Sequence, residues 1–154
     1  MPLLNYTTEV EAAKTVGEIQ VILAGHGARC IMMDYDGNGN IEALSFTVMV
    51  NDQELPIKLP INPDAVLKVM QRQSKVPYRL QNRPQAIRVA WRIVKEWVSA
   101  QMAILETNQA KMEQIFLPYV VTQSGKTVFE IYAQSQFQLK VGTPAPAVTT
   151  QEDK

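Results

Sequence analysis

The chain is 154 residues long, 46% hydrophobic and 19% charged, and its 15 basic and 15 acidic side chains balance to zero. Such a chain suits one globular domain that buries a core without disulfides or a structural metal. Cys30 is the only cysteine, which excludes an intrachain disulfide and any CxxC-type zinc or redox site.

The first residues, MPLLNYTTEV, lack the basic start and apolar run of a secretory signal. No apolar stretch approaches the roughly 20 residues that span a bilayer. The expectation is a cytoplasmic protein with no membrane partner. Thr8 followed by Glu11 fits a capping box. Ala13, Val16, Ile19 and Leu23 then recur at helical spacing, and Gly25 and Gly27 are suitable stops. A helix over about 8–25 is predicted.

Three strand-like runs follow, at Arg29–Tyr35, Ile41–Val50 and Leu55–Ile61. In the second, Leu44, Phe46, Val48 and Val50 alternate with Ser45 and Thr47. In the third, Leu55, Ile57, Leu59 and Ile61 face inward and Pro56, Lys58 and Pro60 outward. Proline cannot donate to a ladder, so the third strand belongs at an edge. Short connections rich in Asn, Asp and Gly predict hairpins and an antiparallel meander.

Asn62-Pro63-Asp64 is a helix start: a capping Asn, proline in the first turn, then an acid. That helix reaches about Gln73. Residues 74–83 read as loop. Pro84 opens the strongest helix, to about Thr107. Its stripes are Ile87, Trp91, Val94, Val98, Met102, Leu105 and Ala86, Ala90, Ile93, Trp97, Ile104. A helix apolar around most of its circumference is central and covered, or is an oligomer interface. Lys111–Phe116 reads as a short helix stopped near Pro118. Thr127–Ala133 suits strand or helix equally. From Val141 the polar, proline-containing sequence VGTPAPAVTTQEDK predicts a disordered tail. The fold class expected is α+β: helix, three-stranded antiparallel meander, helix, long central helix and a short C-terminal element, in one domain over 1–140.

Charge is unevenly spread. Residues 1–65 hold 9 acids and 3 bases, whereas residues 66–97 hold 8 bases and one acid, Glu96. The bases are Lys68, Arg72, Lys75, Arg79, Arg83, Arg88, Arg92 and Lys95, with Tyr78, Trp91 and Trp97 among them. A solvated helix face intersperses acids for i,i+4 pairing, and this run does not. One reading is a nucleic-acid site, in which bases neutralise phosphates and an exposed aromatic stacks on bases. Arg88, Arg92 and Lys95 fall within roughly 60° on the long helix at about 100° per residue and would contact phosphates together. On that reading, replacing Arg88 and Arg92 by glutamate abolishes binding without unfolding the chain. The competing reading pairs the basic run with the acidic N-terminal half, within one chain or between subunits. Both tryptophans lie on apolar stripes and are assigned to the core.

Catalytic signals are weak. His26, the only histidine, sits between two glycines at a helix end, where it would meet carbonyls. Cys30 reads as a small buried hydrophobe in a strand. No GxxxxGK[ST] or GxGxxG follows a strand. Neither an enzymatic activity nor a cofactor is expected.

Asp34, Asp36, Asn38, Gly39 and Ile41 resemble the first eight positions of the calcium loop of the EF-hand family, which supplies oxygen ligands and a sharp bend. Position twelve is Ser45 rather than glutamate, and the flanks read as strands. The alternative is an ordinary hairpin turn. The order helix, three strands, helix is similar to that of double-stranded-RNA-binding domains, and a meander followed by a helix resembles the core of phage single-strand annealing proteins. Both likenesses concern fold order only. Ala43-Leu-Ser-Phe46, Leu59-Pro-Ile-Asn62, Arg88-Val-Ala-Trp-Arg92, Lys95-Glu-Trp-Val98, Ala100-Gln101 and Phe116-Leu-Pro-Tyr119 resemble small uncharacterised proteins of phages and prophages, up to about residue 130. That resemblance implies a mobile-element origin, a host-cell cytoplasmic location and no established activity. The expectation is an accessory protein binding nucleic acid, DNA ahead of RNA, with little sequence preference, as a homo-oligomer. The alternative is a non-enzymatic assembly protein built on helix 84–107, and the minor alternative is a calcium loop at 34–42.

Overall fold

The computed structural model describes residues 1–135. The expected tail from Val141, and the domain limit at 140, lie outside the described residues. The order is α1 (Ala12–Gly25), β1 (Cys30–Tyr35), β2 (Ile41–Val50), β3 (Gln53–Lys58), α2 (Pro63–Arg72), α3 (Arg83–Glu106), α4 (Met112–Phe116) and α5 (Val128–Gln134). This is the expected α+β order, with the long helix where its stripes placed it. No helix among the described residues is long and apolar enough to cross a membrane.

α1 starts later than the predicted residue 8. Thr8 does not cap it, because its Oγ1 accepts from the Val10 amide, two residues on, at 3.2 Å. The Thr8 carbonyl is taken by Gln85 Nε2 at 2.9 Å. Glu11 becomes the N-cap residue without a side-chain cap, and its carboxylate serves Arg88 instead. The face of α1 that is buried is Thr15, Val16, Ile19 and Leu23, while Ala13 is exposed.

The sheet order is β1-β2-β3, antiparallel throughout, so both outer strands are edges, as Pro56 required for β3. Asn51 and Asp52 both take positive φ, at 50° and 63°, between the paired residues Val50 and Gln53. A two-residue hairpin loop needs that left-handed pair, and Asn and Asp tolerate it better than other side-chain-bearing residues. The inner face presents Leu44, Phe46, Val48, Ile57 and, beyond the strand, Leu59, all buried.

α3 packs against α1 and α2 and shares one core with the inner sheet face. Val16, Ile19 and Leu23 of α1, the inner sheet face, and Trp91, Val94, Val98 and Met102 of α3 form one core with Phe116 and Val120. Phe46, Phe116, Trp97 and Tyr119 extend it as a chain of edge-to-face rings with centroids 5.5–5.6 Å apart. A second cluster joins Met70 of α2, Val76, Ala86 and Val89. Most of both apolar stripes of α3 is therefore packed within the same chain, with Ile93, Trp97, Ile104 and Leu105 half-buried. α4 ends immediately before Leu117–Pro118–Tyr119, a single 3-10 turn. Residues 128–134 are helical, because Thr127 Oγ1 accepts from the Glu130 amide and the Glu130 carboxylate accepts from the Thr127 amide in return.

Candidate nucleic-acid interface

The eight bases do not form one face. Three are held by acids of the N-terminal half: Arg83 by Asp64, Arg88 by Glu11 at 3.2 Å and Arg92 by Glu18 at 2.6 Å. The Arg88 and Arg92 side chains are 28% and 20% exposed, and their partners lie on or just before α1. Arg88 Nη1 also donates to Gln85 Oε1 at 3.1 Å, while buried Gln85 donates Nε2 to the carbonyls of Tyr6 and Thr8. Arg92 Nη1 reaches buried Thr15 Oγ1 at 3.4 Å. These arginines thus fasten α1 and the segment before it to α3. The intramolecular reading of the charge asymmetry holds for them. Replacing both by glutamate strips that fastening, so loss of binding in such a variant would not isolate a site.

The other bases, Lys68, Arg72, Lys75, Arg79 and Lys95, have no ion-pair partner among the described residues. Lys95 lies half-buried on α3, apart from the first four. α2 carries Lys68 and Arg72 one turn apart on its exposed side, with Met70 facing the core. Asn62 Oδ1 accepts from the Ala65 amide and starts this helix as its sequence predicted. Beyond α2, Arg72 and Lys75 line one shallow cleft.

The loop 74–82 is anchored at several points. Val76 is buried in the second cluster with Leu80 packed against it. Gln81 Nε2 donates to the Val76 carbonyl and Asn82 Nδ2 to the Arg79 carbonyl, each at 2.9 Å. Residues 78–80 close a single 3-10 turn. The consequence is that Tyr78, between Lys75 and Arg79, is held outward at 89% exposure. The sequence places Tyr78 in the basic run and assigns both tryptophans to the core, but does not show that Tyr78 is presented outward. Trp91 is fully buried and Trp97 half-buried, so neither presents a face to a base. Arg79 also borders a cleft with Glu9, Glu11 and Arg88. Those carboxylates repel a polyanion on the α1 side, leaving the direction toward Lys75 and α2.

The Asp34–Glu42 motif is the β1–β2 turn, flanked by strands. Asp36 accepts from the amides of Asn38 and Asn40 and from Asn40 Nδ2, at 2.8–3.1 Å, and Gly39 takes φ 81°. The Asn40 bonds, backbone first, hold the Asp36 carboxyl below its ordinary range. No group of three or more His, Cys, Asp or Glu suited to a metal occurs among the described residues. Cys30, expected in the core, is exposed, because it begins an edge strand with its side chain on the outer sheet face.

His26 meets a carbonyl as its position implied, through Nδ1 and Ile22 O at 2.7 Å, and also meets Glu106 at the end of α3 through Nε2 at 2.6 Å. The Ile22 carbonyl, and then Glu106, raise its pKa above the ordinary value. A raised pKa means that the protonated ring stabilises the fold, fully below about pH 6.5 and no longer once pH has risen through the folded-state pKa. The wild-type Tm therefore falls between pH 6 and 9 relative to His26→Ala. The difference corresponds to about 0.5 kcal/mol, the scale of a cation at a helix C-terminus. Parallel Tm profiles for the two proteins would rule the interaction out.

Comparison with protein-family models, with curated proteins and with solved structures finds no match to this chain.

Proposed function

We propose that the chain is a non-enzymatic nucleic-acid-binding protein that acts through Lys68, Arg72, Lys75 and Arg79, with Tyr78 as a stacking surface. The observation that carries this reading is the anchored loop holding an almost fully exposed tyrosine between two unpaired bases. A ring held out to solvent on an anchored loop stacks on an unpaired base of any identity, so single strands are the favoured substrate and sequence preference is weak. Duplex offers phosphates but no free base face. The accessory role in a phage or mobile element, in the cytoplasm of its host, belongs to this same reading.

Four phosphate contacts on a single strand give a log–log salt slope of about −3, or roughly 50-fold weaker binding at 200 mM than at 50 mM salt. Fluorescence polarisation with labelled single-stranded DNA, duplex DNA and single-stranded RNA measures this. Lys75→Glu with Arg79→Glu is expected to abolish binding while leaving Tm within about a degree, since neither side chain has an ion-pair partner to lose among the described residues. Tyr78→Ala is expected to weaken single-strand binding about tenfold and duplex binding little. No binding by the folded wild type at 50 mM salt, or wild-type affinity in the double variant, overturns the proposal.

A further inference from the structure

The acidic N-terminal segment and the basic run meet beside the Tyr78 loop. Glu9 and Glu11 line a cleft of about 350 Å³ together with Arg79, Leu80, Gln85 and Arg88. Its volume falls at the lower end of the range for ligand sites. Arg79 and Leu80 directly follow Tyr78, so the cleft borders the surface on which a strand would lie. Buried Gln85 organises it. Gln85 Nε2 holds the carbonyls of Tyr6 and Thr8, and the Val10 amide donates to Thr8 Oγ1, which closes a turn around Glu9. Gln85 Oε1 accepts from Arg88 Nη1, while Glu11 accepts from Arg88 Nε. Two groups are left over. Arg88 Nη2 has no partner, and the exposed Glu9 carboxylate has neither a hydrogen bond nor an ion pair among the described residues. The cleft therefore offers a carboxylate, which only accepts, and a guanidinium N–H, which only donates.

The acids that repel phosphate from this cleft attract the N–H groups of a base, and their chemistry distinguishes one base from the rest. Guanine alone carries two adjacent donors, N1–H and N2–H, on its Watson–Crick edge, with the O6 acceptor next to them. Adenine and cytosine set one donor beside an acceptor, and thymine or uracil sets one donor between two acceptors. With those bases the second carboxylate oxygen would face a lone pair. On these grounds we infer that the cleft takes an unpaired guanine of the bound strand. Glu9 accepts from N1–H and N2–H, and Arg88 Nη2 donates to O6. Arg79 remains with the phosphates. The inference rests on the single-strand reading above and adds to it a preference at one nucleotide, in a strand otherwise held without regard to sequence.

Fluorescence polarisation on the full chain compares three strands. One is an oligothymidylate of about 12 nucleotides. The second carries a single central guanine, and the third carries inosine there, which keeps N1–H and O6 but lacks the N2 amine. The wild type is expected to bind the guanine strand about tenfold more tightly than oligothymidylate, with the inosine strand between them. Glu9→Gln keeps the shape of the side chain but replaces one acceptor by a donor. That variant, with its fold checked by circular dichroism, is expected to lose the difference between guanine and inosine. Equal wild-type affinity for all three strands overturns the inference and leaves the single-strand reading standing. A guanine preference that survives unchanged in Glu9→Gln overturns it as well, because another group would then be reading the base. Failure of the folded wild type to bind any of the strands, oligothymidylate included, overturns the single-strand reading and this inference with it.

Discussion

Trp91→Ala is expected to destabilise the chain by about 3–5 kcal/mol, a large share of the stability of a domain of this size. The ring is fully buried in the cluster formed by α1, the inner sheet face and α3. Its removal leaves a cavity bordered by three elements that cannot all close on it. The indole N–H has no hydrogen-bond partner among the described residues. Trp91→Phe therefore forfeits volume but no bond, and its cost should be well below that of alanine. Urea denaturation separates the two variants by midpoint. A functional arm accompanies the stability arm. If Trp91 is purely a core residue, Trp91→Ala assayed where it remains folded binds single-stranded DNA with wild-type affinity. Weak binding by the folded variant would return the tryptophan to the candidate site.

The second large effect concerns Arg92. Arg92→Glu opposes Glu18 with a like charge at a contact that is now 2.6 Å and only partly solvated. It also withdraws the donor that reaches Thr15. The expected loss is about 2–3 kcal/mol, less than for a fully buried pair because Glu18 is 36% exposed. Adding Glu18→Arg reverses the polarity of the pair and should recover about 1 kcal/mol or more, which a double-mutant cycle reads directly. Nucleic-acid affinity of the folded double variant should match wild type. If Arg92→Glu instead left Tm unchanged and abolished binding, the phosphate track would run along α3 rather than past Tyr78.

Local chemistry made much of the fold legible. Asn62-Pro63-Asp64 and the stripes of α3 predict their helices because capping and burial act within a few residues of sequence. Pro56 predicts an edge for the same reason. Thr127 and Glu130 carry a capping box, a local signal for the last helix that the β-branched run around it obscures. Thr8 and Glu11 carry the same pattern and fail, because distant groups compete for it: Arg88 takes the Glu11 carboxylate and Gln85 the Thr8 carbonyl, each 77 residues away. Cys30 misleads because an apolar run looks alike in a central strand and in an edge strand with one open face. The site shows the same division. The basic run is visible in the sequence, but which of its members are neutralised depends on where α1 comes to rest, and spacing along the chain carries no such information.

The packing of α1 and the sheet on α3 also sets an order of events during synthesis. The meander is complete at Lys58, but the helix that covers its inner face ends only at Glu106. At about 5–20 residues per second the ribosome needs roughly 2–10 s to make the intervening segment. Throughout that interval Leu44, Phe46 and Ile57 have α1 alone to shelter them, and the fastening of Gln85, Arg88 and Arg92 to the N-terminal segment does not yet exist. The nascent chain is thus a sticky half-domain whose productive collapse waits on its own later translation. Slow codons or a pause before residue 83 would lengthen the exposure, whereas a holding chaperone that recognises apolar strands would lessen its consequences.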